Sequence, residues 1–243
     1  MLKVGIDRSS LVKEKTGYGI YCQNLLENLQ TLAPQKGVAI IQLGPENPPL
    51  LSTPQRIYYD GWILSCLAKK ANIDILHQPG FSCPLFFAPT ILTLHDLRSL
   101  VTQEKLPLPS AFYWKKYLPW SAKRAKMIIC DSFQTQKDFL QIYPRAKHKT
   151  LVIYLGVEEK YFKKLKSGKI KVVLQKYGLQ PPYFLYLGSL APIKNLEFLV
   201  DCYQRALGRA ELPPLVLAGD GPLKTSLKDK KVKILGYVEE EDK

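Results

Sequence analysis

Apolar residues fall along this chain in two alternating rhythms. In the first they form short, near-continuous runs: KVGI (3–6), VAIIQL (38–43), IDILH (73–77), TILTLH (90–95), MIIC (127–130) and TLVIYL (150–155). In the second they recur with helical spacing. Tyr18, Tyr21, Cys22, Leu25, Leu26 and Leu29 stand at i, i+3, i+4, i+7, i+8 and i+11, which lays them on one helical face. Runs without polar alternation suit strands covered on both faces, and such strands separated by helices build a parallel, doubly wound sheet. WILSCLAKK reads as a short helix, and YWKKYLPWSAKRAK as a helix broken near Pro119. Ser132 suits the N-cap of the helix that follows MIIC. The proline-rich stretch ENPPLLSTPQ (46–55) reads as a loop.

The rhythm changes after residue 155. Residues 156–180 read as a lysine-rich connector, and a second unit begins at YFLYLG (183–188). A helix with Leu196, Leu199, Val200, Tyr203 and Leu207 on one face follows, then PLVLAG (214–219), a short helix and VKILGY (232–237). That β-α-β-α-β series is half of a usual doubly wound domain. The expected fold class is therefore α/β, with one domain over 1–160 and a linker plus an incomplete second domain over 161–243.

Composition adds three limits. With 46% hydrophobic and 23% charged residues, the chain is globular and not disordered. It has no apolar stretch long enough to span a bilayer, and MLKVGIDRSS lacks the apolar core of a signal peptide, so the cytoplasm is the expected compartment. The five cysteines are scattered without a CxxC pair, which indicates neither a zinc site nor a disulfide framework. The net charge of +14 is spread along the chain: 20 Lys and Arg against 12 Asp and Glu over 1–160, and 15 against 9 over 161–243. Such a chain attracts phosphorylated substrates, anionic membrane or nucleic acid, and charge alone does not choose among them.

Two strand-to-helix junctions have the residues to hold an anion, because a helix N-terminus presents unpaired N–H groups and a partial positive charge. In TGYGIY, Gly17 and Gly19 precede a helix and permit close approach of backbone to a ligand; a plain flexible turn accounts for the same pair. In GSLAPIKN, Gly188 and Ser189 end a strand, Asn195 can cap the next helix, and Lys194 adds a full charge at its mouth. A solvated loop lysine has the same spacing. TLHDL sets His95 at the C-terminal end of a strand, where open α/β sheets bind ligands, although a lone histidine is more often structural. His77 has a similar setting and a weaker claim. No Asp-x-Asp pair, GxxxxGK[ST] loop or GxSxG elbow occurs. FYWKKYLPW could stack bases or lie on lipid, but it fits better a helix with one buried aromatic face.

Taken together, these stretches resemble the GT-B glycosyltransferases of family 4. GSLAPIKNLEFLVDCYQRA looks like the start of that family's donor domain, and LVLAGDGPLK and VKILGYVEEED follow in the family's order. Upstream, GIDRSSLVKEKTGYGIYCQNLL, DILHQPGFSCPL, TLHDL, IICDSFQTQKDF and VIYLGVEEKYF are similar to its earlier landmarks, so the resemblance covers essentially the whole chain. It implies two Rossmann-like domains and a retaining, metal-independent transferase without a cofactor. A nucleotide-sugar donor would pass its sugar to a glycan or lipid-linked acceptor, with peripheral contact at the inner face of the membrane and no role for nucleic acid. TGYGIY and TLHDL suggest mannosyl transfer in cell-surface polysaccharide synthesis. By position, Gly17 and Gly19 match the glycine loop near donor phosphates and acceptor, and His95 matches a histidine beside the transferred sugar. Lys194 matches the lysine that neutralises the departing diphosphate, with Gly188, Ser189 and Asn195 around it. Ser189 and Ile193 stand where many members carry arginine. The family's acidic donor-binding E-x7-E segment is not among the 243 residues, so the resemblance implies a truncated chain with little activity of its own. The competing expectation is a non-catalytic remnant, or acceptor-binding module, that needs a partner.

Overall fold

The computed structural model describes residues 1–11, 17–87, 89–97, 100, 107–228 and 230–243. The chain divides into two compact units, Met1–Val157 and Glu158–Lys243.

The first unit is a six-stranded sheet with the order β2-β1-β3-β4-β5-β6. Its strands are β1 (Leu2–Asp7), β2 (Val38–Leu43), β3 (Ile75–Gln78), β4 (Thr90–Leu94), β5 (Met127–Cys130) and β6 (Thr150–Val152). Every pairing in it is parallel. Each run that the apolar rhythm marked as a strand is one, although the last ends at Val152. Helix α1 (Gly17–Leu32) buries Cys22 and Leu26 against Ile6, as its apolar stripe requires. Its two glycines lie within its first turn, not ahead of it: Gly17 exposed, Gly19 buried.

Two local expectations change. ENPPLLSTPQ is only partly a loop, because α2 (Thr53–Tyr58) starts inside it. Gln55 Oε1 accepts from the Ser52 backbone N–H at 2.9 Å, and Pro54 sits in the first turn, where a missing N–H is harmless. A π-helical stretch, Tyr59–Ile63, joins α2 to α3 (Leu64–Lys70). Likewise the helix around Pro119 is not broken. It runs from α4 (Leu108–Phe112) through a π-helical stretch, Tyr113–Tyr117, into α5 (Leu118–Arg124). Leu118 N–H reaches back to Tyr113 O, so a widened turn accommodates the proline ring just after it. Helix α6 (Phe133–Ile142) is capped by Ser132, whose Oγ accepts from Thr135 N at 3.0 Å.

In the second unit, after a 3-10 turn at Glu159–Phe162, a helix, α7 (Ser167–Lys176), lies inside the stretch expected to be a connector. Only Val173 and Leu174 of its apolar residues are half-buried, which is why the lysine-rich sequence masks it. A three-stranded parallel sheet follows in the order β7-β8-β9: β7 (Phe184–Leu187), β8 (Leu215–Ala218) and β9 (Lys233–Gly236). Helix α8 (Leu196–Leu207) packs Leu196, Val200 and Tyr203 with Leu190, Leu215 and Leu217. Burial of β8 is complete, whereas Phe184, Leu185 and Leu187 of β7 are each about half exposed. Among the described residues, no helix is long and apolar enough to cross a membrane.

Candidate functional site

In the first unit, β1 connects to β2 on one side and the chain then returns to β3 on the other, so the strand order reverses between β1 and β3. Loops diverge at such a switch point and leave a crevice outside the C-terminal strand ends. A cavity of about 300 Å³ lies here, lined by Tyr18, Arg56, Asp60, Gly80, Phe81 and Trp114 among others.

His95 follows β4 at this same edge. Its Nε2 lies 3.1 Å from Pro79 O, and its Nδ1 lies 3.3 Å from Asp131 Oδ2. Both partners are acceptors, and a neutral imidazole carries one N–H, so it donates to one of them at a time. A substrate hydroxyl that bonds Nε2 would have to replace the Pro79 carbonyl. Asp131 is itself placed by the cap of α6: Thr135 Oγ1 donates to Asp131 Oδ1 at 3.1 Å or to His95 O at 2.9 Å. Tyr18 and Tyr21, from the first turns of α1, set their rings 5.3 and 4.7 Å from the imidazole, edge-on. The fold therefore brings the Gly17–Gly19 turn and His95 together. It also shows why the turn fits there: the Tyr18 hydroxyl lies where a Cβ on Gly80 would come within 2.6 Å.

His77 belongs to the sheet interior. Its Nε2 sits 2.9 Å from Thr93 Oγ1, and burial pushes its pKa down to about 4, so it stays neutral. Its role is structural.

A second polar group at this edge was not singled out from the sequence. Asp7 ends β1 fully buried, and Asp60 is 2% exposed. Ser9 donates to Asp7 Oδ2 at 2.6 Å and Tyr59 to Asp7 Oδ1 at 3.3 Å. Asp60 receives Arg56 Nη1 at 3.4 Å and the Ser82 hydroxyl; Ser82 Oγ in turn lies 3.1 Å from the Tyr113 hydroxyl. Arg56 Nη1 also donates to Ser9 Oγ at 2.6 Å and so links the two carboxyls. Burial lifts Asp60 to about 7 against the opposing pull of Arg56, and burial raises Asp7 as well. The side-chain oxygens Gln78 Oε1 and Ser10 Oγ, also buried, have no partner among the described residues.

In the second unit, Gly188 and Ser189 follow β7, and Pro192–Lys194 forms a 3-10 turn before α8. Gly188 N–H donates to Ala218 O at 2.9 Å, which locks this loop to the end of β8. The loop AGDGP interlocks with it, a contact not anticipated from sequence. A Cβ on Gly219 would stand 1.8 Å from Gly188 O, and one on Gly221 would stand 2.6 Å from Leu190 O. Lys194 is exposed, and its ammonium has no hydrogen bond or ion pair among the described residues. Asn195 occupies the N-cap position of α8 with φ 53°, but its side chain makes no capping bond, so the first-turn N–H groups are not covered by it.

Comparison with known proteins bears on these arrangements. The family model of Glycosyltransferase Family 4 matches residues 20–161. Over 179 residues the chain is 27% identical to O-antigen chain mannosyltransferase B of Escherichia coli, covering 69% of this chain and 47% of that one. The chain thus spans about half the length of this curated relative. Among solved structures, Anabaena Alr3699/HepE, in complex with UDP and glucose, matches with a TM-score of 0.62 at 19% identity, over 98% of this chain and 70% of that one. The catalytic domain of starch synthase IV from Arabidopsis thaliana, bound to ADP and acarbose, matches with a TM-score of 0.61 at 11% identity, over 99% and 75%. At these identities the likeness to solved structures speaks for the fold alone.

Proposed function

The chain belongs to Glycosyltransferase Family 4, and from that premise we propose that it carries the machinery of a retaining sugar transfer from a nucleoside-diphosphate sugar. Its fold is of the GT-B type, with six parallel strands in one Rossmann-like unit and three in the other. The observation that carries the functional reading is Lys194, an exposed and unpaired cation at the mouth of α8, beside a glycine turn locked to its neighbouring strand.

In this reading the donor's diphosphate lies against Lys194 and the first N–H groups of α8. The bond from the sugar's anomeric carbon to the diphosphate breaks, and a bond to an acceptor oxygen forms. The acceptor's proton leaves with the diphosphate. Charge grows on the leaving oxygen, and a preformed cation stabilises it most at that moment. Positive charge from lysine and helix takes the part a metal ion plays elsewhere. The acceptor's sugar end enters the cavity of the first unit, with hydroxyls toward Arg56 and Asp60 and an apolar face against Trp114. The relative that transfers mannose makes mannose the first donor to test, and a glycan or a lipid-linked saccharide the acceptor class. A lipid-linked acceptor would put the protein at a membrane face.

The test is titration calorimetry of the chain with UDP, GDP and their sugars, followed by product analysis with saccharide acceptors. One diphosphate should bind, and Lys194→Ala should weaken it by roughly tenfold or more, the value of one charge-assisted contact. Equal binding by the variant, or none by either protein, would show that Lys194 does not hold the diphosphate.

A further inference from the structure

Arg56 meets the cavity between β1 and β3 with much of its bonding capacity unused. Burial pushes the hydroxyls of Tyr18 and Tyr113 above their ordinary range, so of the side chains lining the cavity only Arg56 and Asp60 carry charge near neutral pH. The short bond of the guanidinium runs from Nη1 to Ser9 Oγ, at 2.6 Å. Its contact with Asp60 Oδ1 is 3.4 Å and that from Nη2 to Ser9 O is 3.5 Å. Both are long beside the roughly 2.7–2.9 Å of a good charge-assisted pair. Among the described residues, nothing accepts from Nε. The Arg56 side chain is 22% exposed and that of Asp60 3%, so an incoming group meets the guanidinium first.

Asp60 is arranged to carry or to give up its charge. Its Oδ2 meets the Ser82 hydroxyl, and Ser82 Oγ lies 3.1 Å from the Tyr113 hydroxyl. Hydroxyls donate or accept, so this chain serves the ionised carboxylate and, reversed, the neutral acid. Besides Arg56, the titratable side chains facing Asp60 are Asp7, Tyr18, Tyr59, Tyr113 and Tyr117. Burial holds the four tyrosines neutral near pH 7, keeps Asp60 at about 7 and raises Asp7. A cation with free N–H groups thus stands against an acid that can take a proton. The rest of the lining suits a sugar ring. The Phe81 and Trp114 rings lie 5.1 Å apart, and the Thr53 and Ser110 hydroxyls lie 3.3 Å from each other.

We propose that this cavity selects an acidic sugar, a uronic acid at the accepting end of the glycan, and binds its carboxylate on the free N–H groups of Arg56. The proposal rests on the reading of this cavity as the acceptor site and names the class of acceptor. A carboxylate matches the planar fork of the guanidinium with two parallel bonds. It brings one negative charge, and Asp60 answers by taking up one proton, so binding leaves the charge of the pocket unchanged. A sugar phosphate brings about 1.5–2 negative charges at pH 7 and sets the excess against Asp7. A neutral sugar gains no bond between opposite charges and asks for no change at Asp60.

The experiment is NMR titration of the full chain with methyl glucuronide, methyl glucoside and glucose 6-phosphate. At pH 6 the glucuronide should bind at least about tenfold tighter than the glucoside, and tighter than the phosphate. Arg56→Gln should remove that preference, and Arg56→Lys, a cation without the fork, should restore only part of it. Raising the pH from 6 to 8 should weaken glucuronide binding by up to about tenfold and leave glucoside binding alone, because the proton must then come from solution. Asp60→Asn should bind the glucuronide equally at both pH values. Calorimetry of the unaltered chain in buffers of different ionisation enthalpy should count close to one proton taken up per glucuronide at pH 8. Melting curves at pH 6 certify the variants, and should Arg56→Gln not fold, the proton count and Asp60→Asn still decide. A glucuronide that binds no tighter than the glucoside would overturn the acid preference and leave the acceptor reading standing. Binding of neither sugar would remove both, while the diphosphate at Lys194 is judged by its own titration. A phosphate preferred to the glucuronide, or a pH dependence that survives in Asp60→Asn, would also overturn the proposal.

Discussion

The two candidate centres are built in opposite ways. His95 lies between the Pro79 carbonyl and the Asp131 carboxylate and is boxed by Tyr18, Tyr21 and Phe81, and beside it a buried network joins Asp7, Ser9, Arg56 and Asp60. Lys194 is exposed and unpaired, and what is rigid around it is backbone: Gly188 bonded to Ala218, Gly219 packed on Gly188, Leu190 bonded to Asp220. The first design fixes side chains before a ligand arrives and pays in desolvation. The second fixes the main chain and leaves the charge in water, where a cation is stable until an anion replaces the solvent. Geometry is preorganised in one place and charge is kept in reserve in the other.

The sharpest way to test this contrast is pH. Asp60 is buried with a folded-state pKa near 7, against an ordinary value of 3.8. Between those two values the folded protein binds the proton that the unfolded chain releases. The stabilisation from the neutral carboxyl is therefore complete below about pH 4 and is lost as pH rises through 7, with Asp7 acting in the same direction. All three tryptophans (Trp62, Trp114 and Trp120) lie in the first unit, so their fluorescence follows that unit alone. Its unfolding free energy, read from denaturant curves, should fall from pH 5 to pH 8 by an amount on the order of 2–4 kcal/mol, and Asp60→Asn should flatten most of that slope. A slope that survives in Asp60→Asn would mean that this edge is not built on a neutralised acid.

A smaller effect should separate the centres directly. His95→Ala removes a ring that meets Pro79 O and Asp131 and touches three aromatic neighbours. It should lower the stability of the first unit by about 1–3 kcal/mol. Lys194→Ala removes only an unpaired surface charge and should leave stability within about 0.5 kcal/mol. Equal losses in the two variants would erase the distinction.

What the sequence made legible follows the same division. Strands were readable because a parallel sheet needs unbroken apolar runs, and the Ser132 cap because a serine in that position has one obvious hydrogen bond to make. Lys194 was readable since an isolated cation between a strand glycine and an amphipathic helix stands out. The Arg56–Asp60 pair was not. Two opposite charges four residues apart look like a solvent-facing helical pair. The signal that could have found them is the setting of Asp60 in YYDGWI, an acid among aromatic and apolar neighbours with a glycine beside it. Burial of Asp7 depends on Tyr59 and Ser9 arriving from separate segments, which no local pattern encodes. The α7 helix was hidden because its lysines face water and only Val173 and Leu174 turn inward.

The smallest predicted effect tests how far the held geometry depends on a single cap. Ser132 Oγ accepts from Thr135 N at 3.0 Å, covering one of the open N–H groups of α6. The same turn positions Thr135 Oγ1 between His95 O and Asp131 Oδ1, and Asp131 Oδ2 faces His95 Nδ1. Ser132→Ala should therefore cost about 1 kcal/mol of stability, the usual value of a serine cap. Through the chain from Thr135 to Asp131 it should also loosen the imidazole, visible as broadening or a shift of the His95 ring resonances in NMR. Ser132→Asp restores an acceptor at the helix N-terminus and should recover both stability and spectrum. If the alanine variant lost the expected stability while the His95 resonances stayed where they were, the cap would hold the helix alone. The imidazole would then be fixed by Pro79 and its aromatic neighbours without help from α6.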